Sequence, residues 1–253
     1  MFYLSPGSKI DTAQLQAAMN FVAQGFARTY AADMLITFDR NLAFLEDPTF
    51  KSAFERESAN NDRDQSLAWR IHTATWAASQ ALHVQGDFVE CGVFEGFTSA
   101  CICHYLQFQQ QPRQFWLYDT FAGLPEQYST AEERQLWNGM YQDPQYAGLL
   151  QQVRQRFASY PNVRIEPGIL PDQLQQASPE RIAFLHLDLN SAPAEIAVLE
   201  QLYERISPRG VILLDDYGWL SSRHQMEAER AFFGQRQVPI LELPTGQGLV
   251  IKP

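Results

Sequence analysis

The sequence predicts an α/β protein. A doubly wound, mostly parallel sheet of Rossmann-like build follows a helical N-terminal extension and is closed by an antiparallel hairpin. Three observations carry this reading. From residue 86 onward, short apolar runs alternate with helical stretches. The first third of the chain has helical apolar spacing instead. Near the end, two apolar runs are separated only by Thr245-Gly246-Gln247-Gly248, too short a link for a parallel crossover. The chain is divided accordingly into residues 1–85, an extension serving as lid or dimer contact, and residues 86–253, the sheet domain.

Within the extension, Asp11 is placed to cap a helix carrying Leu15, Met19, Val22 and Phe26. Asp47-Pro48 is an N-cap and first-turn pair ahead of TFKSAFERE. Asp64 is expected to cap a longer helix, QSLAWRIHTATWAASQAL. One stripe of that helix is Leu67, Ile71, Ala74, Ala78 and Leu82, and a second is Trp69, His72 and Trp76. Two stripes call for contacts on two sides, with the core and with a ligand or a second copy of the chain. The strands of the sheet are read at DFVECG, QFWLYD, VRIEPG, IAFLHLDL and GVILLDD, then at VPILELP and GLVIK. Helices are read at SACICHYLQ, LLQQVRQRFASY and PAEIAVLEQLYERI. The segment 120–148 exceeds what a crossover needs and is rich in aromatics (Phe121, Tyr128, Trp137, Tyr141, Tyr146), as expected of a flap over a ligand.

Composition narrows the function classes. The 253 residues are 45% hydrophobic and 19% charged, a globular balance with ample core. The net charge is −10 and the Arg and Lys are scattered, which argues against nucleic acid and anionic membranes as partners. No signal peptide is recognisable and no apolar run reaches spanning length. Cys91, Cys101 and Cys103 show no framework spacing and read as reduced packing residues in a cytoplasmic setting.

The chemistry gathers at strand ends, where open parallel sheets bind ligands. Glu90 ends the first strand, and the bend after it carries Gly92, Gly96, Thr98 and Ser99. Glu90-x-Gly92-x-x-x-Gly96 is not the pyrophosphate fingerprint. A carboxylate there repels phosphate and suits a cationic ligand, so S-adenosylmethionine is favoured over a dinucleotide. Asp119, followed by Thr120 and Phe121, ends the second strand and is placed to accept ribose hydroxyls. Gly168 ends the third, where an adenine could lie on the backbone. Asp188 closes the fourth strand and Asp215-Asp216 the fifth. Three converging carboxylates need a cation, and a hard divalent ion, Mg²⁺, fits oxygen ligands. His186 reads as a satisfied core residue, and His224 as a base that could face a hydroxyl acceptor. Five parallel units closed by a hairpin is the order of a class I methyltransferase sheet. A Rossmann enzyme of NAD or nucleotide sugars, and a non-catalytic donor-binding protein, stand as alternatives.

GDFVECGVFEGFTSA (86–100), YDTFAGLP (118–125), LHLDLNS (185–191) and PRGVILLDDYG (208–218) together resemble the macrocin O-methyltransferase (TylF-type) family. The resemblance implies a class I fold, S-adenosylmethionine, Mg²⁺ and methylation of a hydroxyl on a small polyol, sugar or glycosylated natural product. Carried over, Glu90, Gly92, Asp119 and Phe121 hold the donor, and Asp188, Asp215 and Asp216 hold the metal. Asp188 also stands beside the acceptor hydroxyl. Glu95 departs from the family, which commonly has a basic or neutral residue there.

Overall fold

Strands buried on both faces need near-continuous apolar runs, and the five runs from residue 86 onward meet that need, all but VRIEP, whose residues stay at least partly exposed. In the computed structural model, which describes residues 11–59 and 61–253, they form β3 (Asp87–Cys91), β4 (Phe115–Asp119), β5 (Val163–Pro167), β6 (Ile182–Leu187) and β7 (Ile206–Leu214). These are parallel. The terminal pair β8 (Leu241–Glu242) and β9 (Gly248–Ile251) joins antiparallel, with β9 against β7. The sheet order is β5-β4-β3-β6-β7-β9-β8. The chain therefore reverses its direction of winding between β3 and β6, the place where such sheets bind ligands.

Side-chain alternation sends Val89, Cys91, Leu185 and Leu187 to one face, against α8 (Ala192–Leu202) and α9 (Arg223–Gln235). Phe88, Phe184 and Leu213 go to the other, against α4 (Ala68–Ala81), α5 (Phe97–Tyr105) and α7 (Leu149–Arg156). Fully burying each such side chain contributes roughly 1.5–3 kcal/mol. Glu90 and His186 sit in register on the second face, so the strands bury charge amid that apolar layer. Ala74, Ala77, Ala78 and Ala81 are fully buried, and these small residues let α4 lie close on β6 and β7.

Two features of the extension depart from the sequence reading. It contains a hairpin, β1 (Thr29–Ala32) and β2 (Leu35–Phe38). Asp33 and Met34 at its tip have φ of 49° and 59°, the two left-handed residues of a tight hairpin turn. Without an Asn-Gly or Asp-Gly pair, that turn left little trace in the sequence. Asp64 does not cap the long helix. It lies inside α3 (Asp62–Gln65), where Asn61 accepts from Arg63 N at 3.0 Å. Asp11 and Asp47 do cap α1 (Thr12–Ala23) and α2 (Pro48–Ser58), accepting from Ala13 N and Phe50 N, both at 2.7 Å. Segment 120–148 holds α6 (Ala131–Trp137), begun by a Thr130/Glu133 capping box. All three cysteines are free and buried, and no helix among the described residues is long and apolar enough to cross a membrane.

Candidate active site

The carboxyl ends of β3, β4, β6 and β7 line a cleft of two lobes. The larger encloses about 1110 Å³ including its mouth, and Asp33, Arg70, Glu90, Thr98, Asp215, Asp216 and Trp219 face it. The smaller encloses about 590 Å³, and Thr120, Tyr128, Gly168 and Ser191 face it. Gly92, Asp119, Asp188 and Asn190 form the wall common to both, with Trp137, Met140 and Tyr141 of segment 120–148 over them. The rings of Tyr141 and Tyr146 pack on Phe94 at 5.3 and 4.6 Å.

The glycine bend is shaped by the chain itself. Gly92 has φ of +90°, and a Cβ there would stand 1.8 Å from the Asp188 carbonyl oxygen. Asp188 N donates to Cys91 O at 2.8 Å, so the ends of β3 and β6 are stitched at this crossing. The close approach that demands glycine is thus to the neighbouring strand. Gly96 (φ +77°) precedes α5 and faces Phe157 rather than the cleft.

Asp119 is turned to the backbone. Its Oδ2 accepts from Val93 N and Phe94 N at 2.7 and 2.8 Å, and its Oδ1 from Phe121 N at 2.6 Å. Burial still pushes its carboxyl above the ordinary range, against the pull of these three donors. Oδ1 keeps a lone pair for a further donor. Phe121 faces neither lobe and contributes this N–H. Thr120 Oγ1 donates to Gly123 O at 2.7 Å.

Glu90 is 2% exposed. Its oxygens accept from Ser99 Oγ and from His186 Nδ1, the latter at 2.8 Å. Burial raises its pKa and His186 opposes the rise. Ser99 is therefore an internal partner of Glu90 with no surface on the cleft. The other imidazole nitrogen, His186 Nε2, is 3.3 Å from Asp215 Oδ1. Burial disfavours the imidazolium, but Asp215 and Glu90 outweigh it and raise His186 to about 10.

Asp188, Asp215 and Asp216 reach one rim, as the sequence predicts, but a side chain of the protein stands among them. Arg70 Nη1 contacts Asp215 Oδ2 and lies 3.2 Å from Asp216 Oδ1, while Nε donates to Asp33 Oδ2, also at 3.2 Å. Gln247 Nε2 donates to Asp215 Oδ1 at 2.9 Å. Burial works against the charge on Asp215, yet Arg70 and His186 hold it well below the usual carboxylate range. Asp188 goes the other way: burial and the neighbouring Asp215 and Asp216 push it well above. No three of the described His, Cys, Asp or Glu side chains converge as ligands of one metal ion. The rim as built does not fit the Mg²⁺ expected from the three aspartates, because the guanidinium already meets Asp215 and Asp216. His224 is exposed in the first turn of α9 and faces neither lobe, whereas Asp188 lines both.

Sequence reasoning missed Arg70, Asp33, Gln247 and Trp219. Arg70 had left a signal. It interrupts the Leu67–Ile71–Ala74 stripe of α4, and a charge on a buried stripe needs a partner.

Comparison with known proteins agrees with this architecture. The family model described as macrocin-O-methyltransferase (TylF) matches residues 70–240. The 8-demethyl-8-(2,3-dimethoxy-α-L-rhamnosyl)-tetracenomycin-C 4'-O-methyltransferase of Streptomyces olivaceus is 33% identical over 162 residues, 60% of either chain. The mycinamicin III 3''-O-methyltransferase of Micromonospora griseorubida is 31% identical over 144 residues, 53% of this chain and 56% of its own. The match thus spans somewhat more than half the length of each relative. Among solved structures, the O-methyltransferase NovP superposes with a TM-score of 0.58 at 22% identity, covering 72% of this chain and 79% of its own. The calicheamicin methyltransferase CalS11 does so with 0.59 at 16% identity over 98% and 99%. With the family match covering most of the chain and the sheet order, strand-end acids and glycine bend in place, the chain belongs to the macrocin-O-methyltransferase (TylF) family.

Proposed function

We propose that the protein is an O-methyltransferase that moves the methyl group of S-adenosylmethionine to a hydroxyl of a sugar on a small natural product. The observation that carries this reading is the position of Asp188. It stands on the wall common to both lobes, beside Asp119 on the donor side and Arg70 on the acceptor side. The family match and the sugar O-methyltransferases among its relatives support it.

The smaller lobe suits the adenosine end of the donor, with the ribose at Asp119 and the adenine along Gly168. The larger lobe suits the acceptor. Transfer is an in-line displacement: the acceptor oxygen forms a bond to the methyl carbon, the carbon–sulfur bond breaks, and its electron pair stays on sulfur. The sulfonium becomes a neutral thioether, and the acceptor proton must leave. Asp188 takes that proton. It lines both lobes, where an acceptor hydroxyl would meet the donor methyl, and that placement within reach of the proton is what a general base needs first. Asn190 Nδ2 donates to Asp188 Oδ1 at 3.0 Å and orients the carboxylate. Trp137, Met140 and Tyr141 cover the junction and keep water from competing. The acids of the rim favour the cationic donor over its neutral product. No step in this reading passes through a metal ion.

The test is methyl transfer from labelled S-adenosylmethionine to a panel of hydroxylated glycosides. Wild type is expected to label at least one glycoside. Asp188→Asn should lose turnover by about 10²–10⁴-fold, the usual contribution of a general base, with donor affinity within threefold of wild type. Turnover that survives in Asp188→Asn removes Asp188 as the base. A dinucleotide released from the purified protein removes the reading itself.

A further inference from the structure

We propose that Arg70 is the resident cation of this active site: its guanidinium occupies the place among the acids at which a divalent ion was expected, and binds the acceptor there without metal. This rests on the methyl-transfer reading for its substrate, but the occupancy of the rim stands on geometry alone.

Arg70 is 8% exposed and is fixed from several sides. Nε holds Asp33, at the tip of the β1–β2 hairpin, and Nη1 holds Asp215 and Asp216 beyond β7. The Asp215 backbone carbonyl also accepts from Nη1, at 3.3 Å. The guanidinium lies 5.4 Å from the ring centroid of Trp219, within cation–π range. Both oxygens of Asp215 are already engaged, Oδ2 by Arg70 and Oδ1 by Gln247 with His186 beside it. A metal entering here would have to expel a buried arginine from three carboxylates and sit against its charge.

One nitrogen of the guanidinium remains free. Among the described residues, Nη2 makes no hydrogen bond, and Arg70 faces the larger lobe. Its two N–H groups are therefore available to a neutral oxygen in that lobe, which Asp188 also lines. That is the position of an acceptor hydroxyl or of its vicinal neighbour on a sugar ring. Hydrogen bonding from a fixed cation stabilises the developing alkoxide as an ion would, in a geometry set by the fork of the arginine. Arg70 is then a substrate-binding residue on the acceptor side, and the hairpin that carries Asp33 is its support.

The probe is Mn²⁺, followed by electron paramagnetic resonance on the purified full-length protein without donor or acceptor. Wild type is expected to show no site tighter than millimolar. Arg70→Met, which empties the rim of its cation, should gain Mn²⁺ affinity at least tenfold, and Asp216→Asn in the same background should abolish the gain. Arg70→Lys keeps the charge and should exclude Mn²⁺ like wild type, so it serves if Arg70→Met fails to fold. In the methyl-transfer assay, chelation should change the wild-type rate less than twofold, while Arg70→Lys should raise the acceptor KM at least tenfold with the donor KM unchanged. Tight Mn²⁺ binding by wild type that Asp188→Asn removes would overturn the proposal, as would loss of activity on chelation. If no acceptor is ever methylated but the Mn²⁺ pattern holds, the functional reading has failed and the occupancy of the rim has not.

Discussion

Replacing Asp119 with alanine removes a carboxylate that accepts from three backbone N–H groups, those of Val93, Phe94 and Phe121. Hydrogen bonds to a charged group are worth about 1.5–3 kcal/mol each. The full sum does not apply. Burial already raises the carboxyl's pKa, so removing the charge recovers part of its desolvation cost, and water reaches the vacated N–H groups. We expect a net loss of about 2–4 kcal/mol. For a chain of this size that corresponds to a melting temperature roughly 4–16 °C lower. Donor binding should fall separately, about tenfold to a hundredfold, if a ribose hydroxyl uses the remaining capacity of Oδ1. Calorimetric unfolding and titration with S-adenosylmethionine, each on Asp119→Ala and Asp119→Asn, separate the two effects. Asn keeps one acceptor oxygen and should recover part of the stability, yet less of the affinity. Equal affinity in a folded Asp119→Ala variant would refute the ribose contact. An unchanged melting temperature would refute the role in holding the bend.

Gly92→Ala should cost at least about 3 kcal/mol, since it combines an unfavourable positive φ with overlap on the Asp188 carbonyl; thermal unfolding reads this, and a near-native melting temperature would show that the crossing can yield. Glu195 and Glu229 are buried against each other between α8 and α9, and burial raises both, Glu195 to about 8. The folded state therefore holds protons that the unfolded state releases, so this stabilisation is complete below about pH 4.5 and declines as pH rises, the share of Glu195 being lost through about pH 8. Denaturant titrations at pH 5 and pH 8 should show stability falling, and Glu229→Gln should flatten the fall; an unaltered slope would place the effect elsewhere. Segment 120–148 should be protected from limited proteolysis when donor and acceptor are both present, with unchanged cleavage counting against a cover.

Much of the sheet could be read in advance because its determinants are local. Val89, Leu117, Leu185 and Leu213 belong to apolar runs that only a doubly buried strand explains, and the short link before β9 forces its direction. The acids at strand ends were legible for the same reason: Glu90, Asp119, Asp188 and Asp215 each terminate such a run. What they face was not legible. A sequence shows that three aspartates approach one another, but not that an arginine from α4 arrives between them, because Arg70 is distant along the chain and its neighbours read as helix packing. Glu90 and His186 were noted separately, one as a donor contact and one as a core residue, yet their register across β3 and β6 makes them partners. The β1–β2 hairpin leaves little trace because its turn, Asp33-Met34, puts a methionine where a glycine marks such turns, and methionine seldom adopts the left-handed conformation.

The ion-pair network around Arg70 also bears on how the protein is made. Its partners come from far apart in the chain: Asp33 lies 37 residues before Arg70, Asp215 lies 145 after it, and Gln247 comes 32 beyond Asp215. During synthesis the hairpin and α4 leave the ribosome long before β7, and the link that brings Gln247 leaves almost last. Until β7 is made the arginine has only Asp33 to hold, and until that link arrives Asp215 lacks the amide of Gln247. A nascent chain stalled short of β9 can have five parallel strands and an unfinished cleft rim. The network around Arg70 is therefore among the last features of the molecule that synthesis can complete.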